Sequence, residues 1–103
     1  MPSALETELA LHLRAYGIKL EREHKFHPKR KWRFDFADIE SKTAFEVEGG
    51  TWMAKSGHNT GLGIRRDIEK YNAAQLLGWR VFRVDGGMIK SGEAIRLIIQ
   101  ALM

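Results

Sequence analysis

The stretch RFDFADIESKTAFEVEGG, Arg33 to Gly50, decides how the rest of the chain reads. It sets Asp35, Glu46 and Glu48 among Phe34, Phe36, Phe45 and Val47. Side chains on a strand alternate between its two faces. Over residues 31–38, Trp32, Phe34 and Phe36 fall on one face, and Lys31, Arg33, Asp35 and Ala37 on the other. Over 43–49, Phe45 and Val47 share one face, and Ala44, Glu46 and Glu48 share the other. A hairpin turning at Glu40–Ser41 then pairs Phe36 with Phe45, Phe34 with Val47, and Asp35 with Glu46. Directly opposed side chains lie about 5 Å apart. Glu48 follows roughly 7 Å along the same face. Like charges so placed destabilise a sheet unless something compensates them. Two compensations are open: a divalent cation, which takes oxygen ligands from such carboxylates, or Lys31 and Arg33 on the same face.

Outward from this hairpin, periodicity supplies the remaining elements. Leu5, Leu9, Leu13 and Tyr16 line one side of a helix over 3–16, with Ser3 and Glu6 as a capping box and Gly17 as the stop. A strand over 19–26, exposed on one side, leads to the turn HPKRK, because Pro28 does not suit a central strand. Residues 51–63 form a polar, glycine-bearing loop. A helix over 64–77 turns Ile64, Ile68 and Tyr71 inward and stops at Gly78. WRVFRVD, 79–85, has apolar residues at both parities and reads as a central strand. A last helix over 91–102 buries Ile95, Ile98, Ile99 and Leu102. The order is αβββαβα, an α/β (α+β) architecture with a mixed sheet flanked by helices.

The 103 residues suit one domain, 1–103, able to bury one modest core. No cysteine is present, which excludes disulfides and zinc–thiolate sites and fits a reducing, cytoplasmic setting. No apolar run is long enough for a membrane span, and the N-terminus lacks a signal-peptide pattern. The net charge of +4 is concentrated. Between Lys19 and Arg33 stand Lys19, Arg22, Lys25, Lys29, Arg30, Lys31 and Arg33 against only Glu21 and Glu23. Such a patch is either the footprint of a polyanion partner or a solvated basic loop.

The ordered set of motifs resembles the PD-(D/E)xK nuclease superfamily, and within it the small single-domain members akin to very-short-patch repair endonucleases. ETELALHLR is similar to the family's first helix, RFDFA supplies its aspartate, and AFEVEGG resembles its acidic-x-acidic-Gly ending. DIEKYNAAQLLGWRVFRV is similar to its second helix and following strand, so the likeness spans residues 6–84. This is the E-x-E variant: Glu48 stands where the superfamily usually carries lysine, no proline precedes Asp35, and the family's histidine is either displaced to His58 or absent.

The resemblance implies a restriction-endonuclease-like fold and an Mg²⁺-dependent DNA endonuclease, an enzyme that hydrolyses phosphodiester bonds, with Mn²⁺ as a substitute ion. Asp35 and Glu46 would hold the metal, and Glu48 would hold a second ion or orient the attacking water. Glu6 would contribute through water, unless the capping box with Ser3 is its whole role. His58 is either a general base or an exposed loop residue. Lys70, Arg65 and Arg66 lie off the apolar face of their helix; they either reach the scissile phosphate, Lys70 replacing the missing lysine, or form a solvated face. Lys29, Arg30, Lys31 and Arg33 would contact the DNA backbone. Trp52 either stacks on a base or packs. A chain this short carries no separate recognition domain, so specificity would come from DNA shape, a homodimer or a partner protein. The alternative is a non-catalytic nucleic-acid-binding module of the same fold, its carboxylates paired with Lys31 and Arg33.

Overall fold

A computed structural model describes residues 3–49 and 61–103. The elements are α1 (Ala4–Ala15), β1 (Glu21–Lys25), β2 (Arg33–Asp38), β3 (Thr43–Glu48), α2 (Gly61–Leu76), β4 (Arg80–Asp85), α3 (Gly86–Ser91) and α4 (Glu93–Leu102). The expected order holds, with one addition: α3 fills the interval between the expected strand over 79–85 and the expected helix over 91–102. Asp85 caps α3 through a hydrogen bond from the Met88 N–H (3.0 Å), and Gly92, at φ 88°, provides the left-handed stop between α3 and α4.

The four strands lie in chain order. β1–β2 and β2–β3 are antiparallel, and β3–β4 is parallel. Crossing between parallel strands takes a helix, and α2 makes the crossing. β4 therefore lies at an edge of the sheet, not at its centre. Its mixed apolar pattern has another cause: helices cover both faces, so Val81 packs on the α2 side while Phe82 and Val84 pack on the α1–α4 side.

From Phe36 to Asp38 the hairpin register is the expected one. Phe36 pairs with Phe45, Ala37 with Ala44 and Asp38 with Thr43. The turn is closed by Asp38, whose carboxylate accepts from the Ser41 N–H (3.2 Å), and by Lys42 in the left-handed region at φ 54°. Lys42 also ties the turn to α2, its ammonium donating to the Leu77 carbonyl (2.7 Å).

Two cores sandwich the sheet. On one face Leu9 and Leu13 of α1 and Ile95 and Ile98 of α4 meet Phe36, Phe45 and Val84. On the other, Ala74 of α2 and Trp79 meet Phe34, Ala37 and Ala44. Phe34 and Phe36 thus lie in different cores, which overturns their expected shared face and the pairing of Phe34 with Val47. The cause is local. β1 and β2 pair Arg22 with Phe36 and His24 with Phe34, but the intervening Glu23 and Asp35 are out of the ladder. Glu23 has φ 52°, a left-handed conformation that a side chain adopts at a cost. One irregular residue on each strand, at the same level, carries both chains to the opposite face together.

The apolar stripe assigned to α2 also needs correction. Ile64 is 48% exposed and Ile68 52% exposed. The sheet instead receives Asp67, Lys70, Tyr71 and Ala74, spaced as one helical face, whose contacts run to Glu46, Arg83 and the second core.

Candidate active site

The level at which β1 and β2 lose their regular pleat is where the carboxylates gather. Beyond Phe36–Phe45 the β2–β3 ladder gives way as well. The Asp35 N–H donates to Glu46 Oε2 (2.8 Å), and the Val47 N–H donates to Asp35 Oδ2 (2.8 Å). Side-chain oxygens have replaced carbonyls as acceptors across the gap. The two carboxylates are therefore neighbours, although the ladder that was to pair them ends at Phe36–Phe45, and each is pinned by the other strand's backbone.

From this shared point the site divides. Toward α1, ligand oxygens of Glu6, Glu23 and Asp35 all lie within 4.8 Å of one another. Each residue is delivered by a separate feature. Glu6 comes from the first turn of α1, Glu23 from the left-handed kink of β1, and Asp35 from the break in β2. Glu6 serves its cap and the cluster at once. Its N–H donates to Ser3 Oγ (3.1 Å) and its Oε2 accepts from the Ser3 N–H (3.4 Å). Its Oε1 is buried, accepts no hydrogen bond, and has the Arg22 guanidinium at 3.9 Å.

Burial, the Glu46 charge and the Glu6 charge push the Asp35 carboxyl up from 3.8 to about 7, against the opposing pull of the Val47 N–H and Lys70. Concentrated negative charge of this kind, on hard oxygen donors, matches what Mg²⁺ or Mn²⁺ takes as ligands. The residues present fit a divalent cation.

Toward α2, the acids are already compensated. Glu46 is only 4% exposed. Its Oε1 accepts from the Lys70 ammonium in a very short contact and from the Tyr71 hydroxyl (3.1 Å). Burial, then the Glu46 and Glu48 charges, raise the Tyr71 hydroxyl's pKa, so it stays a donor. Glu48 receives Arg83 through Nε (2.7 Å) and a closer Nη2 contact. Desolvation would lower the Arg83 pKa, but the hydrogen bond and charge of Glu48 outweigh it and raise it. Asp67 lies 4.0 Å from the same guanidinium.

The compensating cations are thus Lys70, Arg83 and Arg22, whereas the sequence had offered Lys31 and Arg33. Glu23 and Arg83 are the site residues that sequence reasoning missed. The signal for Glu23 was available in part: once the β1–β2 register is fixed, it stands opposite Asp35. For Arg83, the signal is its place level with Glu46 across the parallel β3–β4 pair.

Other expected site residues spread out. The turn after β1 is organised by His27, whose Nδ1 accepts from the N–H groups of Lys29 (3.1 Å) and Arg30 (2.9 Å). Arg30 lies 4.0 Å over the Trp32 ring and 3.6 Å from Glu69 of α2. Arg65 pairs with the same Glu69 at 3.4 Å, and Arg66 is exposed. Lys29, Lys31 and Arg33 are also exposed. His58 and Trp52 lie outside the described residues.

The whole is an α+β fold of endonuclease type, with a mixed sheet between helices and an acidic cluster at the break in its antiparallel half. Among solved structures, the catalytic domain of the homing endonuclease I-Bth0305I has the same fold, with a TM-score of 0.69 and 20% identity. The match covers 96% of this chain and 92% of that domain. At that identity the likeness establishes the fold. No family model matches the chain, and no curated protein matches it. Among the described residues no helix is long and apolar enough to cross a membrane.

Proposed function

We infer that this chain is a metal-dependent nuclease that hydrolyses phosphodiester bonds in DNA. The observation that carries the reading is the cluster of Glu6, Glu23 and Asp35, with its oxygens within 4.8 Å, built where β1 and β2 break their pleat. The fold of an endonuclease catalytic domain and the motif order of the PD-(D/E)xK superfamily support the same reading.

In this account Asp35 is the central ligand, flanked by Glu6 and Glu23. A bound Mg²⁺ or Mn²⁺ would polarise a phosphoryl oxygen and lower the pKa of a bound water. The chain's own residues do the rest. Glu46 fixes the backbone of Asp35 and anchors Lys70 beside it. Lys70 then supplies, from α2, the positive charge that the superfamily usually places two residues after the glutamate. Tyr71 holds Glu46 in the orientation that aims Lys70. Arg83 occupies Glu48, which removes Glu48 from the first rank of metal ligands and puts a guanidinium at the rim of the site. His58 remains a candidate base. The basic turn at Lys29, Arg30, Lys31 and Arg33, with Arg65 and Arg66, would meet the DNA backbone.

The second reading, a DNA-binding module without catalysis, draws on the Lys70–Glu46 and Arg83–Glu48 pairs, which satisfy two of the acids without any ion. Cleavage of a panel of duplex, single-stranded, branched and mismatched DNA, with Mg²⁺, Mn²⁺ or EDTA, separates the two. The nuclease reading expects ion-dependent cutting that Asp35→Asn abolishes. Absence of cutting across the panel, together with Mn²⁺ binding that is unaltered by Asp35→Asn, would rule it out.

A further inference from the structure

Beside the acidic cluster, an open cavity of ≈ 320 Å³ lies between the end of α1 and β1. Its floor is apolar: Leu13, Ile18, Leu20 and Phe36. Its rim carries Arg14, Lys19 and Arg22, and among the described residues no carboxylate lines it. A neighbouring hollow, bordered also by Thr7 and Leu11, shares Ala10, Arg14 and Arg22 with it, so the two adjoin in a groove along α1.

This groove adjoins the site through Arg22. Arg22 lines both hollows and reaches Glu6 at 3.9 Å. Glu6, Ala10 and Arg14 follow one another at helical spacing, so the Arg14 end lies roughly 12 Å from Glu6 along the axis. At about 3.4 Å per nucleotide along a stacked strand, that is three to four steps from the acidic cluster.

We propose that the groove is a subsite for an unpaired nucleotide of the DNA strand that passes the acidic cluster. The proposal rests on the nuclease reading and adds a substrate class: DNA with a displaced or flapped end. Three features select this occupant. The hollow is too small for a duplex and ample for one base with its sugar. Half-buried Ile18 and Leu20 in the floor reward burial of a base face, and the Arg22 guanidinium, 4.5 Å above the buried Phe36 ring, offers a flat cation on which a base stacks. The three rim cations match the phosphates on either side of that base. Contact of this kind does not depend on base identity, because every base has a π-face.

The test uses the full chain without divalent metal, so that it is independent of catalysis. Fluorescence anisotropy compares a fully paired duplex with the same duplex bearing a three-nucleotide 2-aminopurine flap. The flapped DNA should bind about tenfold more tightly, with a change in 2-aminopurine emission. Ala10→Phe, which fills the groove, should bring the flapped DNA to the affinity of the duplex and leave duplex binding unchanged. Ala10→Ser, which leaves the groove open, should keep the preference. Should Ala10→Phe fail to fold, Arg14→Gln combined with Lys19→Gln reports the same loss from the rim. Equal affinity of the native chain for both DNAs, or a preference that survives both groove-filling and rim neutralisation, overturns the subsite. Added Mn²⁺ then tests the other reading separately. A flap preference without cutting keeps the groove and removes the nuclease, and cutting without a preference does the reverse.

Discussion

Two groups of acids meet at Asp35 and differ in their partners. On the α2 side, Glu46 and Glu48 each hold a cation, Lys70 and Arg83. On the α1 side, Glu6, Glu23 and Asp35 crowd together, with Arg22 drawn in at 3.9 Å from Glu6. The first group stabilises the fold as it stands. The second stores repulsion, and part of its cost is visible in the left-handed backbone of Glu23 and the raised pKa of Asp35. Paired charges are satisfied within the chain; crowded like charges are the ones a bound cation would relieve.

The largest test of this contrast is Glu46→Gln. It leaves Lys70 without its carboxylate in a site where Glu46 is 4% exposed, and should cost about 2–3 kcal/mol in chemical denaturation without metal. A loss below about 0.5 kcal/mol would place Glu46 among the unpaired acids instead. Asp35→Asn should behave oppositely, leaving metal-free stability equal or slightly higher because it removes repulsion and keeps an acceptor for the Val47 N–H.

Acidity sharpens the same comparison. Asp35 holds its proton more tightly in the folded chain, about 7 against 3.8. Its contribution is therefore fully present below about pH 4 and is lost as pH rises through about 7. Metal-free stability followed by thermal melts should fall across that window, and the fall should flatten in Asp35→Asn. A profile identical in the two proteins would remove Asp35 as its source.

Smaller effects come next. Glu23→Gly relieves the φ 52° conformation and should stabilise the metal-free fold by up to about 1 kcal/mol while weakening Mn²⁺ binding. A stability loss instead would mean that the Glu23 side chain holds the strand. The Arg83–Glu48 pair is half open to solvent at the arginine. Arg83→Gln should therefore cost less than about 1 kcal/mol, and the cost should shrink in high salt.

The legible part of this molecule is the part where apolar pattern sets geometry. Phe36 and Phe45 fixed the hairpin register from Phe36 to Asp38, and Asp35 and Glu46 are neighbours just beyond it. Gly17 and Gly78, both at positive φ, ended the helices where expected. What failed did so where charged residues or strand irregularities break the apolar pattern, and at β4. The period-two reading put Phe34 beside Phe36 because nothing in the residues announces that Glu23 and Asp35 leave the ladder together. The α2 face was misassigned at Ile64 and Ile68 because Asp67 and Lys70 take inward positions, beside the expected Tyr71, that apolar residues usually hold. Glu23 was read as part of a charge count, since its partner across the sheet depends on a turn whose length periodicity does not fix. β4 looked central because both its faces are covered, which edge position alone does not forbid.

The central claim is that the metal belongs to the α1 side. Calorimetric titration with Mn²⁺ of Glu23→Gln beside Glu48→Gln tests it most directly. The account predicts that Glu23→Gln loses affinity about tenfold or more while Glu48→Gln stays within a factor of two of the native chain. Retained affinity in Glu23→Gln with a loss in Glu48→Gln would contradict it and place the ion between the β3 glutamates.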